Sequence, residues 1–221
     1  MHIQGYGKHI QNQIQAWPDN EPITTLAMAA DLAGVFGIDI ENAKKVTNVN
    51  IMRLAGKGKV ARIQKGVYGK TKETPFGKLL PNTDDMITGL LLHDGKNISG
   101  YIAGPTLLNA IGLCSWMPKE RHIAANHYRR RLPAGSPIRV YRPLAVVNDD
   151  NAAYLQAIEA LISIDRYHVD AEKPDKILRR MLQENHLDNE RLIWYARNLC
   201  GQKMLLKTID IALGGIDIEA S

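Results

Sequence analysis

The chain has 221 residues, 45% of them hydrophobic and 23% charged, ordinary values for a globular protein. That length suits one large domain or two small ones, no apolar run approaches a membrane span, and the opening Met1-His2-Ile3-Gln4-Gly5-Tyr6 lacks the charged start and apolar core of a secretory signal. The formal charge is +5, and all of it falls in residues 1–78, with 11 Lys and Arg against 6 Asp and Glu, while residues 79–221 carry 17 of each. Such asymmetry points to different partners for the two parts.

Tyr6 to Trp17 reads as a first helix, with Ile10 and Ile14 at i, i+4 and Trp17 next on that face. Pro18-Asp19-Asn20-Glu21-Pro22 forms a turn after it. Thr24 or Thr25 can cap a second helix from Leu26 to about Val35, which Gly34 and Gly37 break. Asp39 can cap a third, running to about Ala55 and ended by Gly56-Lys57-Gly58. Two extended runs, Lys59–Ile63 and Val67–Gly69, flank the turn Gln64-Lys65-Gly66. Pro75, Gly77 and Pro81 mark a linker or boundary.

Beyond it, helices are expected over Asp84–Leu92 and from Gly104-Pro105 through Ile111. Arg121–Ala125 and Ile138–Tyr141 read as strands, with a turn or hairpin over His127–Gly135 between them. Asn151–Ile164, Pro174–Asn185 and Asn189–Leu213 read as helices. In the last, most of Leu192, Ile193, Trp194, Tyr195, Leu199, Leu205, Leu206, Ile209 and Leu213 are expected in the core, although an exposed Trp194 or Tyr195 would suit a partner contact.

Between Asn42 and Lys72, 31 residues hold nine Lys or Arg and no Asp or Glu. Soluble faces normally intersperse both signs, so this run suits a polyphosphate surface. Three helices followed by a basic hairpin match the winged helix, whose third helix enters the major groove while its hairpin follows the backbone or minor groove. Ala43, Val46, Ile51 and Leu54 would face the core. Asn48 and Asn50 can pair with adenine and Arg53 with guanine. Lys44, Lys45, Lys57 and Lys59 suit phosphate contacts, and Arg62 and Lys65 suit phosphate or a narrow minor groove.

The run Arg53-Leu54-Ala55-Gly56-Lys57-Gly58-Lys59-Val60-Ala61-Arg62-Ile63-Gln64-Lys65-Gly66-Val67-Tyr68 resembles the end of the winged helix in AbiEi-like antitoxins, of the type IV toxin–antitoxin or abortive-infection class. Tyr101–Leu113 resembles that family's small-residue helix ending in a Gly-Leu pair, followed by two strands. The resemblance covers roughly residues 5–147. It implies an N-terminal domain that binds operator repeats and represses its own operon. It also implies a C-terminal domain that neutralises a nucleotidyltransferase-like toxin. By position, the DNA-binding residues would lie in Lys44–Arg53 and Lys59–Tyr68.

Arg129-Arg130-Arg131 forms a second basic patch, able to meet an acidic surface, a phosphate or RNA, with Arg139 and Arg142 as neighbours. Catalytic sets are not evident. His2, His9, His93, His122, His127, His168 and His186 are scattered, and His122 and His127 lack an acid or thiol pattern for metal. Asp84-Asp85 and Asp149-Asp150 could hold metal for phosphoryl chemistry but read as helix starts. Gly214-Gly215 is a lone pair, not a phosphate loop, and Ser99, Ser115, Ser136 and Ser163 lack a nucleophile-elbow context. Cys114 and Cys200 are too few for a disulfide framework and read as reduced thiols in the cytoplasm.

The expected protein is therefore α+β, with a winged helix-turn-helix domain over residues 1–75 and a mixed α/β antitoxin-like domain with C-terminal helices over residues 82–221. It needs no cofactor, metal or catalytic residue. Its partners would be double-stranded DNA of its own operator and a cognate toxin, with a homodimer on DNA and no membrane. Three rivals stand beside this: a plain regulator whose C-terminal domain binds a ligand or dimerises, a nuclease using Asp84 and Asp85, and an RNA-binding module using Arg129–Arg131.

Overall fold

The computed structural model describes residues 3–19 and 21–214, so His2, Asn20 and Gly215 lie outside the described residues. The architecture is mixed α and β and divides into two compact units, Met1–Leu90 and Leu91–Ser221. Among the described residues no helix is long and apolar enough to cross a membrane.

The first unit begins with α1 (Ile3–Ala16), β1 (Ile23–Thr24), α2 (Thr25–Phe36) and α3 (Ile40–Gly56). Thr24 caps α2, its hydroxyl accepting from the Ala27 N–H at 3.3 Å. Gly34 stays helical inside α2, and the break falls at Gly37, whose left-handed backbone (φ 62°) costs a glycine little. Asp39 caps α3 by accepting from the N–H groups of Glu41 and Asn42 at 2.9 and 3.2 Å. The end of α3 is a Schellman closure: Gly58, at φ 64°, donates to the Ala55 carbonyl and Lys59 to that of Leu54. Gly56 is still helical, so the stop signal is Gly58 rather than the first glycine of the trio.

A hairpin follows, β2 (Val60–Gln64) and β3 (Val67–Lys70). β3 also pairs with β1, giving an antiparallel sheet of order β1-β3-β2. Ile10 and Ile14 of α1, Met28 and Leu32 of α2, Ala43 and Ile51 of α3 and Tyr68 of the sheet share one buried cluster. Each helix contributes at three- or four-residue spacing or a multiple of it, which is what places side chains on one helical face.

The Pro75–Pro81 segment, expected to be a linker or boundary, holds the turn and second strand of a further hairpin, β4 (Lys72–Thr74) and β5 (Gly77–Leu79), with every strand residue exposed. Pro81 then packs back on β3 against Gly69, where a Cβ would lie 2.5 Å from its ring. The division between units falls near the end of α4 (Thr83–Leu92), ten residues beyond that segment. Prolines and glycines signalled a bend there, and the chain uses them for a turn.

The second unit contains a small hairpin, β6 (His93–Asp94) and β7 (Asn97–Ile98), then β8 (Gly100–Ile102), α5 (Gly104–Ala110), β9 (Arg121–Ala125) and β10 (Ile138–Tyr141). Tyr101 and Ile102 belong to a strand, and the helix expected from the Tyr101–Leu113 motif occupies only Gly104–Ala110. The sheet order is β10-β9-β8, with β8 antiparallel to β9 and β10 parallel to it. Residues 126–137 are therefore a crossover rather than the turn or hairpin expected, because parallel neighbours require the chain to return to the starting edge.

Helices α6 (Ala152–Ile164), α7 (Pro174–Glu184), α8 (Asn189–Leu199) and α9 (Gln202–Ala212) complete the unit. The single helix expected over Asn189–Leu213 is two. Cys200 and Gly201 take extended backbone (ψ 167° and 168°) between them. Leu107, Leu108, Ile158, Leu161, Leu178 and Leu192 lie in the main core cluster of this unit. Trp194 is 57% exposed: Leu192 and Ala196, at i, i+4, form the buried side of α8 and turn Trp194 outward.

Candidate nucleic-acid interface

α3 buries Ala43, Thr47 and Ile51. The opposite side presents Lys45, Asn48, Val49, Met52 and Arg53, all exposed. These recur at spacings of three and four, so they form one outward row along the helix. Three are polar or cationic as the sequence suggested. Val49 and Met52 were expected neither in the core nor on the outer side, because only polar and basic residues were sought there; they are 47% and 67% exposed.

Asn50 does not belong to this row. Its amide donates to the Val46 carbonyl at 2.9 Å, one turn back on the same helix, and its Oδ1 faces Gly7 of α1. Of the two asparagines expected to read bases, only Asn48 is presented outward. Lys44 is half-buried and its ammonium donates to Glu41 at 2.7 Å.

The hairpin presents Arg62 and Lys65, both exposed. Lys65 sits in the Gln64-Lys65-Gly66 turn, closed by Gly66 at φ 77°. The Gly66 carbonyl accepts from the Thr25 N–H at 2.9 Å, which ties the hairpin tip to the start of α2. A Cβ at Gly58 would collide with the Lys78 side chain, which therefore lies against the Gly58 backbone. Lys59 lies 3.6 Å from Glu73, and Asp19 sits between Lys70 at 3.1 Å and Lys72 at 2.8 Å.

Four of the nine cations in the acid-free run thus meet acids from outside it: Lys44, Lys59, Lys70 and Lys72. Among the described residues Lys45, Arg53, Lys57, Arg62 and Lys65 have no acidic partner. The Lys44–Glu41 pair is local, three residues apart on α3, but Glu73 and Asp19 reach Lys59, Lys70 and Lys72 only through the fold. Unpaired guanidinium and ammonium groups on a helix face and a hairpin can donate to phosphate oxygens.

The second basic patch lies in the crossover after β9. The Arg129 guanidinium stands 5.4 Å over the Tyr128 ring, Arg129 and Arg131 are exposed, and Arg130 is half-buried. Arg139, expected to share this surface, pairs with Glu120 at 3.1 Å. Asn82 accepts from the N–H groups of Asp84 and Asp85, placing both acids in the first turn of α4. Asp149 accepts from the Ile98 N–H at 2.8 Å. Among the described residues no three His, Cys, Asp or Glu are grouped to hold a metal ion. His122 is buried beside Tyr141, with its Nδ1 2.9 Å from the hydroxyl, and burial first and Arg139 second push its pKa down.

No protein-family model matches this sequence, nor does any curated protein.

Proposed function

We propose that residues 6–70 form a winged helix that binds duplex DNA, with α3 in the major groove and the β2–β3 hairpin as the wing. The observation that carries this reading is the outward row of Lys45, Asn48 and Arg53 on α3, accompanied by Arg62 and Lys65 on a hairpin whose tip is hydrogen-bonded to the start of α2. The order helix, strand, helix, helix, hairpin, with all three strands in one antiparallel sheet, supports it. Lys45, Lys57 and Lys65 would hold phosphates, Asn48 and Arg53 would reach base edges, and Arg62 would follow the backbone.

The resemblance of the Arg53–Tyr68 run to AbiEi-like antitoxins extends the reading to a cytoplasmic autorepressor that binds its own operator as a homodimer and neutralises a nucleotidyltransferase-like toxin. This work is association, with no bond made or broken. A plain regulator with a dimerising or ligand-binding second unit shares the first half of that reading. Co-expression with the neighbouring gene separates the two, since rescue from a toxic neighbour excludes the plain regulator.

The direct test is a gel-shift titration on the DNA upstream of this protein's own gene, beside an unrelated duplex. Preference for the upstream DNA, lost in a Lys45→Ala/Arg53→Ala/Arg62→Ala variant, is expected. Equal weak binding of both duplexes, or none, would reduce the basic row to a solvated face.

A further inference from the structure

Resting on the DNA-binding reading, we infer that Val49 and Met52 are the base-reading apolar contacts of α3, and that they recognise the 5-methyl groups of thymines. At 100° per residue, Met52 falls within about 20° of Lys45 along the helix axis, in the middle of the outward face, with Val49 beside it and Asn48 and Arg53 on the two flanks. Both are open to solvent, at 67% and 47%. The side of α3 that packs into the unit is already filled by Ala43, Thr47 and Ile51.

An apolar centre ringed by unpaired cations and an amide fits one occupant better than an apolar protein surface. Lys45, Arg53 and Lys57 have no acid partner among the described residues, and Lys45 and Lys57 complement phosphate. Within a major groove the one apolar group a base edge offers is the thymine methyl. Asn48, on the flank, supplies the amide that pairs with adenine. A·T pairs under the middle of α3 would therefore satisfy both chemistries at once, and Arg53 would take a guanine toward the helix end.

The experiment uses the full chain and the upstream duplex, with thymines in the footprint replaced by deoxyuridine. That exchange removes the methyl and keeps the base pair. Each contacted methyl should weaken binding by about fourfold, the burial of one methylene-sized group. Met52→Ala and Val49→Ala, both at exposed positions, should weaken binding to thymine DNA and erase the thymine–uracil difference. Lys45→Ala should weaken both duplexes equally. Tight binding with no thymine–uracil difference, or a difference that survives in both variants, would overturn the inference while leaving DNA binding intact. Failure to bind the thymine duplex at all would remove both. Loss of self-association in Met52→Ala, measured by sedimentation without DNA, would assign this face to a protein contact and overturn it too.

Discussion

The Lys70 ammonium stands 3.1 Å from the Asp19 carboxylate and from the same position donates to the Gln15 and Trp17 carbonyls at 2.7 and 3.1 Å. One side chain from β3 thus satisfies the orphan carbonyls at the end of α1 and holds the turn that follows, joining two elements far apart in sequence. Lys70→Met keeps the stem and removes the donors. It should destabilise the first unit by about 1.5–3 kcal/mol, the scale of hydrogen bonds to a charged group, read as a lower midpoint in urea. Lys72 first and Lys70 second hold the Asp19 carboxyl below its ordinary value of 3.8. Its contribution is therefore present above that pH and lost as pH falls through the depressed value. Unchanged midpoints in Lys70→Met would show that the cap does not stabilise the unit.

Gly69 is a glycine by close approach rather than by backbone angle. A Cβ there would lie 2.5 Å from Pro81 Cγ and 2.7 Å from its Cβ. Gly69→Ala should lift Pro81 off β3 and cost about 1–3 kcal/mol, as overpacking does. Pro81→Ala in the same chain should return much of that loss, giving a favourable coupling in a double-mutant cycle. Additive effects would mean the two residues do not meet.

Glu159 in α6 is held in a partly buried site. Burial raises its pKa above the ordinary 4.5, opposed by hydrogen bonds from the Ser163 hydroxyl and the Gly104 N–H. The folded state therefore binds this proton more tightly than the unfolded chain. Stability falls as pH rises from 4.5 through the raised value, and the loss persists above it. Glu159→Gln keeps an acceptor for both donors and removes the charge. It should raise the melting temperature at pH 7.5 and have a shrinking effect as pH drops below 4.5. A destabilised variant at both pH values would mean the carboxylate is worth more to Gly104 and Ser163 than its burial costs.

The strands Arg121–Ala125 and Ile138–Tyr141 and the caps Thr24 and Asp39 were legible because local chemistry decides them. The parallel pairing of those two strands was not, since register and direction come from non-local contacts. The split at Cys200–Gly201 was hidden because apolar spacing continues on both sides. At the candidate interface, residue type identified Lys45, Asn48 and Arg53 from the sequence. It could not show that Asn50 turns toward α1 or that Glu73 meets Lys59, which only folding brings together, whereas the Glu41–Lys44 pair, three residues apart on one helix, was open to a local reading.

Those acid partners change what salt should do. If Lys45, Lys57, Arg62 and Lys65 each neutralise one phosphate, log K for DNA should fall against log salt with a slope of about −3.6. Substituting any of the four by alanine should flatten the slope by about 0.9. Lys44→Ala and Lys59→Ala should flatten it less, because each ammonium already sits with a carboxylate, at 2.7 and 3.6 Å. Glu41→Gln and Glu73→Gln release those ammonium groups and should steepen the slope and tighten binding at low salt. Filter binding across a salt series measures all of these. A flat wild-type response would sink the electrostatic argument. Equal effects of Lys44→Ala and Lys45→Ala would show that the ion pairs open when DNA binds.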